Sequence, residues 1–377
     1  MISKTYDKIY KLILIIPAVM LLFSLGYLWN FQNVNGDIIY KDVSLTGGTT
    51  ISVFDNSADI KTIERDLKLE FPDMLIRGIS DFETGGQKGF FIETKADSDK
   101  IKTALEKELG YKLNNENSSI EFSGSTLSQG FYQQLRFAIL LAFIFMACAV
   151  FLIFGKSNQL KSVSLMLTGL SFAILLPEVS IAKAFTLIFL IIGLIFSFKQ
   201  IKNYNLLPFS VFVASLVVLF AFPNQILIIP VSIALLLIYF FNSVPSIAVI
   251  LSAFADIIMT IVVADLLGFQ LSIAGVIAFL MLIGYSVDTD ILLTTRILKE
   301  TEGSINSRIL GALKTGLTMT LTSIVSVGAA LMIIYNLSDT LRQIFSILLI
   351  GLFFDIFNTW LTNASILKWY VERGEKK

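Results

Sequence analysis

Two aspartates stand two positions apart in an otherwise apolar run, Leu282-Ile-Gly-Tyr-Ser-Val-Asp288-Thr-Asp290-Ile-Leu-Leu. Two further acids, Asp256 and Asp355, and one base, Lys314, interrupt neighbouring apolar stretches. If those stretches cross a bilayer, each charge costs roughly 2.5–3.5 kcal/mol on insertion, so several together mark an ion or proton pathway. A carboxylate and an ammonium facing each other in low dielectric have mutually dependent proton affinities. Protonating the acid releases the base, and helix packing can change as a result. Asp288 and Asp290 lie about 200° apart around a helix, so they cannot face one partner. At ~1.5 Å per residue, Asp288 and Lys314 both lie roughly 8 Å inside the cytoplasmic ends of consecutive spans. The expectation is an Asp288–Lys314 pair, with Asp290 turned to polar groups of another helix such as Asn358. Asp256 and Asp355 are placed nearer the midplane. The bland alternative is a static pair that fixes helix register.

Around these ion-coupling candidates, Thr315, Thr318, Thr320 and Thr322 offer hydroxyls that could carry protons or hold water. Gly284 and the small residues of the 310–335 stretch permit close helix approach, and Arg296 reads as a cytoplasmic-end anchor. Other chemistries are excluded. With no histidine in the chain, His-based metal sites and His-dependent triads are impossible. The single cysteine, Cys148, rules out a disulfide framework. An intramembrane aspartyl protease using Asp256 and Asp288 would need a different spacing around its acids. No catalytic residue, metal or cofactor is expected, the chain is not read as an enzyme, and a net charge of zero gives no sign of nucleic-acid binding.

The elements that must position these residues follow from composition. The chain is 55% hydrophobic and 15% charged, against roughly a quarter charged in soluble domains. The deficit is local, and it predicts membrane spans plus one polar domain. Lys4, Lys8 and Lys11 precede an apolar stretch at 12–29, read as a retained first helix with a cytoplasmic amino end. Further spans are expected at about 135–154, 161–178, 181–198, 206–222, 225–242, 246–266, 270–293, 310–335 and 343–366. Ten spans, with lysines and arginines concentrated on one side, put both termini in the cytoplasm and the polar region outside it. That region, 31–133, holds 17 acidic and 11 basic residues and alternates strand, helix, strand, strand, helix, strand, the ferredoxin-like α+β pattern. The organisation is thus 1–30 first helix, 31–133 extracytoplasmic domain, 134–242 further spans, 243–368 the charged bundle, and 369–377 a cytoplasmic tail.

Several segments carry a family match. Pro245 to Asp256, Leu282 to Arg296, Leu313-Lys-Thr-Gly-Leu-Thr-Met-Thr-Leu-Thr322 and Leu349-Ile-Gly-Leu-Phe-Phe-Asp355 with Asn358-Thr-Trp360 resemble consecutive spans of the archaeal SecF family. Asp42-Val-Ser-Leu-Thr-Gly47-Gly48-Thr49 is similar to the segment opening that family's external domain, a domain-hinge motif. The resemblance implies an accessory subunit of the Sec translocase in the cytoplasmic membrane. It would act with SecD beside the Sec channel and use the ion (proton) motive force to move a preprotein. It also implies the resistance–nodulation–division fold, in which an acid at the position of Asp288 or Asp290 and a base at the position of Lys314 are required. Lys314 departs from the arginine of bacterial forms and is a point charge rather than a planar fork. The family has six spans, so about four are inserted within 156–242; their role is left open, an extra contact surface for SecD or lipid being one option. A non-conducting SecD scaffold and a small-molecule or lipid exporter of the same superfamily are the competing functions.

Overall fold

An amphipathic helix, α1 (Ile2–Ile13), turns at Leu14 into the apolar α2 (Ile15–Asn35). The computed structural model describes residues 2–80, 84–198, 206–221, 224–335 and 339–375. After α2 come α3 (Val43–Thr46), β1 (Gly48–Val53), α4 (Ile60–Glu70), β2 (Leu75–Ser80), β3 (Gln87–Thr94), α5 (Ser98–Leu109) and β4 (Ser118–Ser123). The four strands form one antiparallel sheet in the order β2-β3-β1-β4. Alternation explains the layering: Ile51, Val53, Phe90 and Ile92 point to one face and pack on Ile63, Leu67, Ile101 and Leu105 of the two helices. Asp59 and Asp97 cap those helices by accepting from their first free N–H groups. The segment 81–83, within which the expected second strand ends, lies outside the described residues.

Helix occupies both ends of the stretch 31–133, because α2 runs to Asn35 and α6 (Ser125–Phe154) begins well before residue 135. Then follow α7 (Asn158–Leu175), α8 (Ser180–Phe198), α9 (Leu206–Ala221), a 3₁₀ turn (Gln225–Leu227), α10 (Ile228–Asn242), α11 (Val244–Leu266), α12 (Ile273–Lys299) and α13 (Ile305–Ile334). The last element is one long helix, α14 (Asp339–Asn358), a π-helical turn (Thr359–Asn363) and α15 (Ala364–Glu375). Among the described residues, eight helices are long and apolar enough to cross a membrane. Two of the ten expected spans, α7 and α9, are not in that set. The physical reason for α7 is plain. It is the polar centre of a sub-bundle, where Ser162 donates to the Gly193 carbonyl and Ser164 shares a 2.8 Å hydrogen bond with Tyr239.

Burial divides the helices by role. Within their apolar windows α11 is 67% buried and α13 only 6%, so α11 is central and α13 presents most of its surface outward. On α15, Lys368 is 1% exposed. It pairs with Asp7 of α1, donates to Asn306 Oδ1 at 2.7 Å and lies over the Tyr10 ring. Burial leaves a lysine no alternative to such partners.

The second face of the sheet turns toward the membrane helices. Phe91 is buried there beneath the Arg77 guanidinium, and Arg77 shares a small cleft with Phe269, Gln270 and Arg342. Burial pushes the Glu93 carboxyl up to about 7; the Asp42 carboxylate adds in the same direction, and Arg77 and Arg342 oppose it. Burial also pushes Asp42 up to about 6, against hydrogen bonds from Ser44. The folded state therefore binds these protons more tightly than the unfolded chain. Their contribution to stability is fully present below about pH 4 and is lost as pH rises through 6 to 7. Protease resistance of the β-domain in the lipid-embedded protein is expected to be higher at pH 5.5 than at pH 8, and Glu93→Gln should flatten that dependence.

Candidate functional site

Asp256 on α11, Asp290 on α12 and Asp355 on α14 are each 0% exposed; Asp290 and Asp355 share the Thr359 hydroxyl, and Asp256 is bonded to the adjacent Asn358. Asp256 accepts from Ser286 Oγ and, at 2.7 Å, from Asn358 Nδ2. Asp290 Oδ1 accepts from Asn363 Nδ2 at 2.8 Å and lies 3.0 Å from Thr359 Oγ1. Asp355 Oδ1 lies 3.2 Å from the same Thr359 oxygen, and its Oδ2 lies 3.4 Å from the hydroxyls of Thr289 and Thr320. Two of the residues that bind the acids, Thr359 and Asn363, come from the π-helical turn, and Asn358 immediately precedes it. Its extra residue per turn re-aims the side chains at its ends, and such turns recur at functional sites.

Thr359 constrains the protons. A hydroxyl has one hydrogen to donate, yet Thr359 Oγ1 stands within hydrogen-bond range of two carboxyl oxygens. Either the single hydrogen is shared between the two carboxylates, or one carboxyl holds a proton and donates it to the threonine oxygen. In the second arrangement the hydroxyl can pass a proton between Asp290 and Asp355 by exchanging donor and acceptor roles. Among the described residues, Asp290 Oδ2 and Asn363 Oδ1 are buried without a hydrogen-bond partner. No ion pair found among the described residues reaches any of the three acids. Among those residues no cluster of acid, cysteine or histidine side chains has the geometry of a metal site.

The expected Asp288–Lys314 pair is not formed. Both side chains are exposed, Asp288 on α12 and Lys314 on α13, with no ion pair between them. Helical phase is the reason: the face of α12 that meets α11 and α14 carries Asp290, so Asp288, about 200° away, points out of the bundle. Asn358 also differs from expectation, since it donates to Asp256 rather than to Asp290. Thr318 is exposed and donates to the Lys314 carbonyl, while Thr315 Oγ1 accepts from Arg296 at 3.1 Å. Arg296 also approaches Glu300 at 3.8 Å, near the end of α12. Gly284 is exposed with open space beyond it, so among the described residues it packs against none. Gly316 does serve close packing: a Cβ there would stand 2.8 Å from the Trp360 ring.

Gly47 and Gly48 take φ of 87° and 146°, a conformation that L side chains rarely adopt. A Cβ on Gly47 would fall 2.5 Å from Ser125 Cα, where the two strands of chain entering and leaving the β-domain cross. The pattern assigned no role to Thr359, Asn363 or Ser286, because a hydroxyl or amide in an apolar helix carries no signal until its neighbours are known; Thr320, one of the expected hydroxyls, does face Asp355.

Residues 218–373 match the family model described as protein export membrane protein SecD/SecF, C-terminal. The protein-export membrane protein SecF of Methanothermobacter thermautotrophicus is 51% identical over 138 residues, 36% of this chain and 48% of that protein. SecF of Methanocaldococcus jannaschii is 49% identical over 142 residues, 37% of this chain and 50% of that protein. The matched stretch spans about half the length of these curated relatives. SecDF of Thermus thermophilus, a translocon-associated membrane protein, superimposes with a TM-score of 0.53 at 12% identity, over 98% of this chain and 38% of that one, a likeness of fold.

Proposed function

We propose that this chain, a multi-pass membrane protein of the archaeal SecF family by its membrane region, is an accessory subunit of protein export that works with a SecD-type partner. The buried Asp256–Asp290–Asp355 cluster carries the reading. Three carboxylates without a basic partner cannot all be ionised in a helix interface, so the cluster holds protons whose number depends on supply from the two sides of the membrane. A change in that number alters which of Ser286, Asn358, Thr359 and Asn363 accept or donate. It thereby alters how α11, α12 and α14 pack. Motive force would be converted to movement of the β-domain on the outer side, next to the Sec channel and its preprotein.

The outward face supports the partner. Tyr285 and Asp288 of α12 and Lys314 and Thr318 of α13 are exposed, and such groups are costly against lipid. A second membrane protein offering complementary polar groups would remove that cost, and SecD is the partner implied by the family. The test is to express tagged chain with SecD from the same genome. The pair is expected to co-purify, with Asp288→Leu and Lys314→Leu weakening recovery, and a strain lacking the chain should export a reporter more slowly. Unchanged export in that strain, together with no SecD recovered on the tag, would sink the proposal.

A further inference from the structure

One polar side chain at the outer ends of α12 and α14 joins them to the chain segment that enters the β-domain. Gln343, in the first turns of α14, accepts through Oε1 from Ser272 N at 3.1 Å and from the Ser272 hydroxyl, and donates through Nε2 to the Gln270 carbonyl. Ser272 is itself the N-cap of α12, accepting from Gly275 N. A Cβ on Gly275 would fall 2.7 Å from Gln343 Oε1, so the glycine leaves room for the amide.

The same loop is bonded to the lead-in of the domain. Lys41 and Leu271 form a parallel bridge; Leu271 N donates to the Tyr40 carbonyl at 2.7 Å, and Asp42 N donates to the Leu271 carbonyl at 3.1 Å. Ile273 N, the first residue of α12, donates to Ser44 Oγ at 3.2 Å. Residues 40–46 then run directly into Gly47, Gly48 and β1. On its other side the lead-in is pinned to α6, because Tyr132 donates to Asp37 at 2.8 Å.

We infer that Gln343 is a coupling residue, a positioning group that transmits displacement of the acid-bearing helices α12 and α14 to the entry segment of the β-domain. At ~1.5 Å per residue, Gln343 stands roughly 18 Å along α14 from Asp355, and Gly275 roughly 22 Å along α12 from Asp290. Packed helices move as rigid rods over such lengths, so a shift at the acids arrives at the outer ends largely undiminished. Without the amide, α14 would lose its direct hold on the 270–273 loop. The two helices could then shift relative to each other without carrying residues 40–46 along.

The inference rests on the carboxylate cluster being the moving part, but its test does not need export. Hydrogen exchange of the full-length protein in lipid nanodiscs reads the amides of 40–46 and 270–275. Asp290→Asn is expected to change their exchange by about threefold or more when Gln343 is present and to leave it unaltered in Gln343→Met. Gln343→Glu keeps an acceptor for Ser272 but loses the donor to Gln270, and should give a smaller change than the native residue; it serves as the reading if Gln343→Met does not insert. An equal change with and without the amide, or none in either, would overturn the role of Gln343. Loss of export in Asp290→Asn with no exchange coupling would reject this inference and leave the functional proposal standing.

Discussion

Asp290→Asn is expected to bring secretion driven by an imposed pH gradient down to background, a fall of about tenfold or more, while the protein still inserts and keeps its fold. Asparagine nearly matches the aspartate in size and can still accept from Asn363 and Thr359. What it lacks is a site to bind and release a proton. Thr359→Val should have a smaller effect in the same direction. Valine fills the space of threonine but cannot link Asp290 to Asp355, whereas Thr359→Ser restores the hydroxyl and should restore rate. Measurement is of a secreted reporter in energised vesicles or cells against pH gradient, with inserted protein quantified in parallel. Full gradient-dependent secretion in Asp290→Asn would show that these acids are structural only.

Gly351→Val is expected to cost about 3 kcal/mol of stability or to prevent assembly, because added volume in a closed core cannot be absorbed. A Cβ at this position on α14 would fall on the Leu282 side chain of α12, with Cγ at 2.9 Å and the methyls closer still. Leu282 is 0% exposed and has nowhere to turn. The substitution would thus drive apart the two helices that bring Asp290 and Asp355 to Thr359. Unfolding in lipid by heat or denaturant measures the cost. Leu282→Ala in the same chain should recover a large part of it, because the two changes share one volume. A Gly351→Val protein as stable as the native one would mean that α12 and α14 do not approach this closely.

Much was legible from residue types and spacing. Acids in apolar runs identified Asp256, Asp290 and Asp355 as costly and therefore informative, because the bilayer penalty depends on local composition alone. Strand and helix periods over 49–122 located the elements of the β-domain, because alternation and 3.6-residue repeats are local properties. The polar α7 was harder. Its Ser162 and Ser164 are satisfied by α8 and α10, partners that no window of sequence reveals.

What residue order determined here is which helices carry charge and that Asp288 and Asp290 must part company, since two positions on a helix differ by about 200° whatever surrounds them. Which of the two turns inward was a tertiary decision. It depends on the phase at which α12 docks on α11 and α14, set by contacts such as Gly351 on Leu282 and by the π-helical turn that brings Thr359 and Asn363 to Asp290. Depth along the membrane favoured Asp288 with Lys314. Rotation about the helix axis, which only packing selects, buried Asp290 instead and left the other two facing outward.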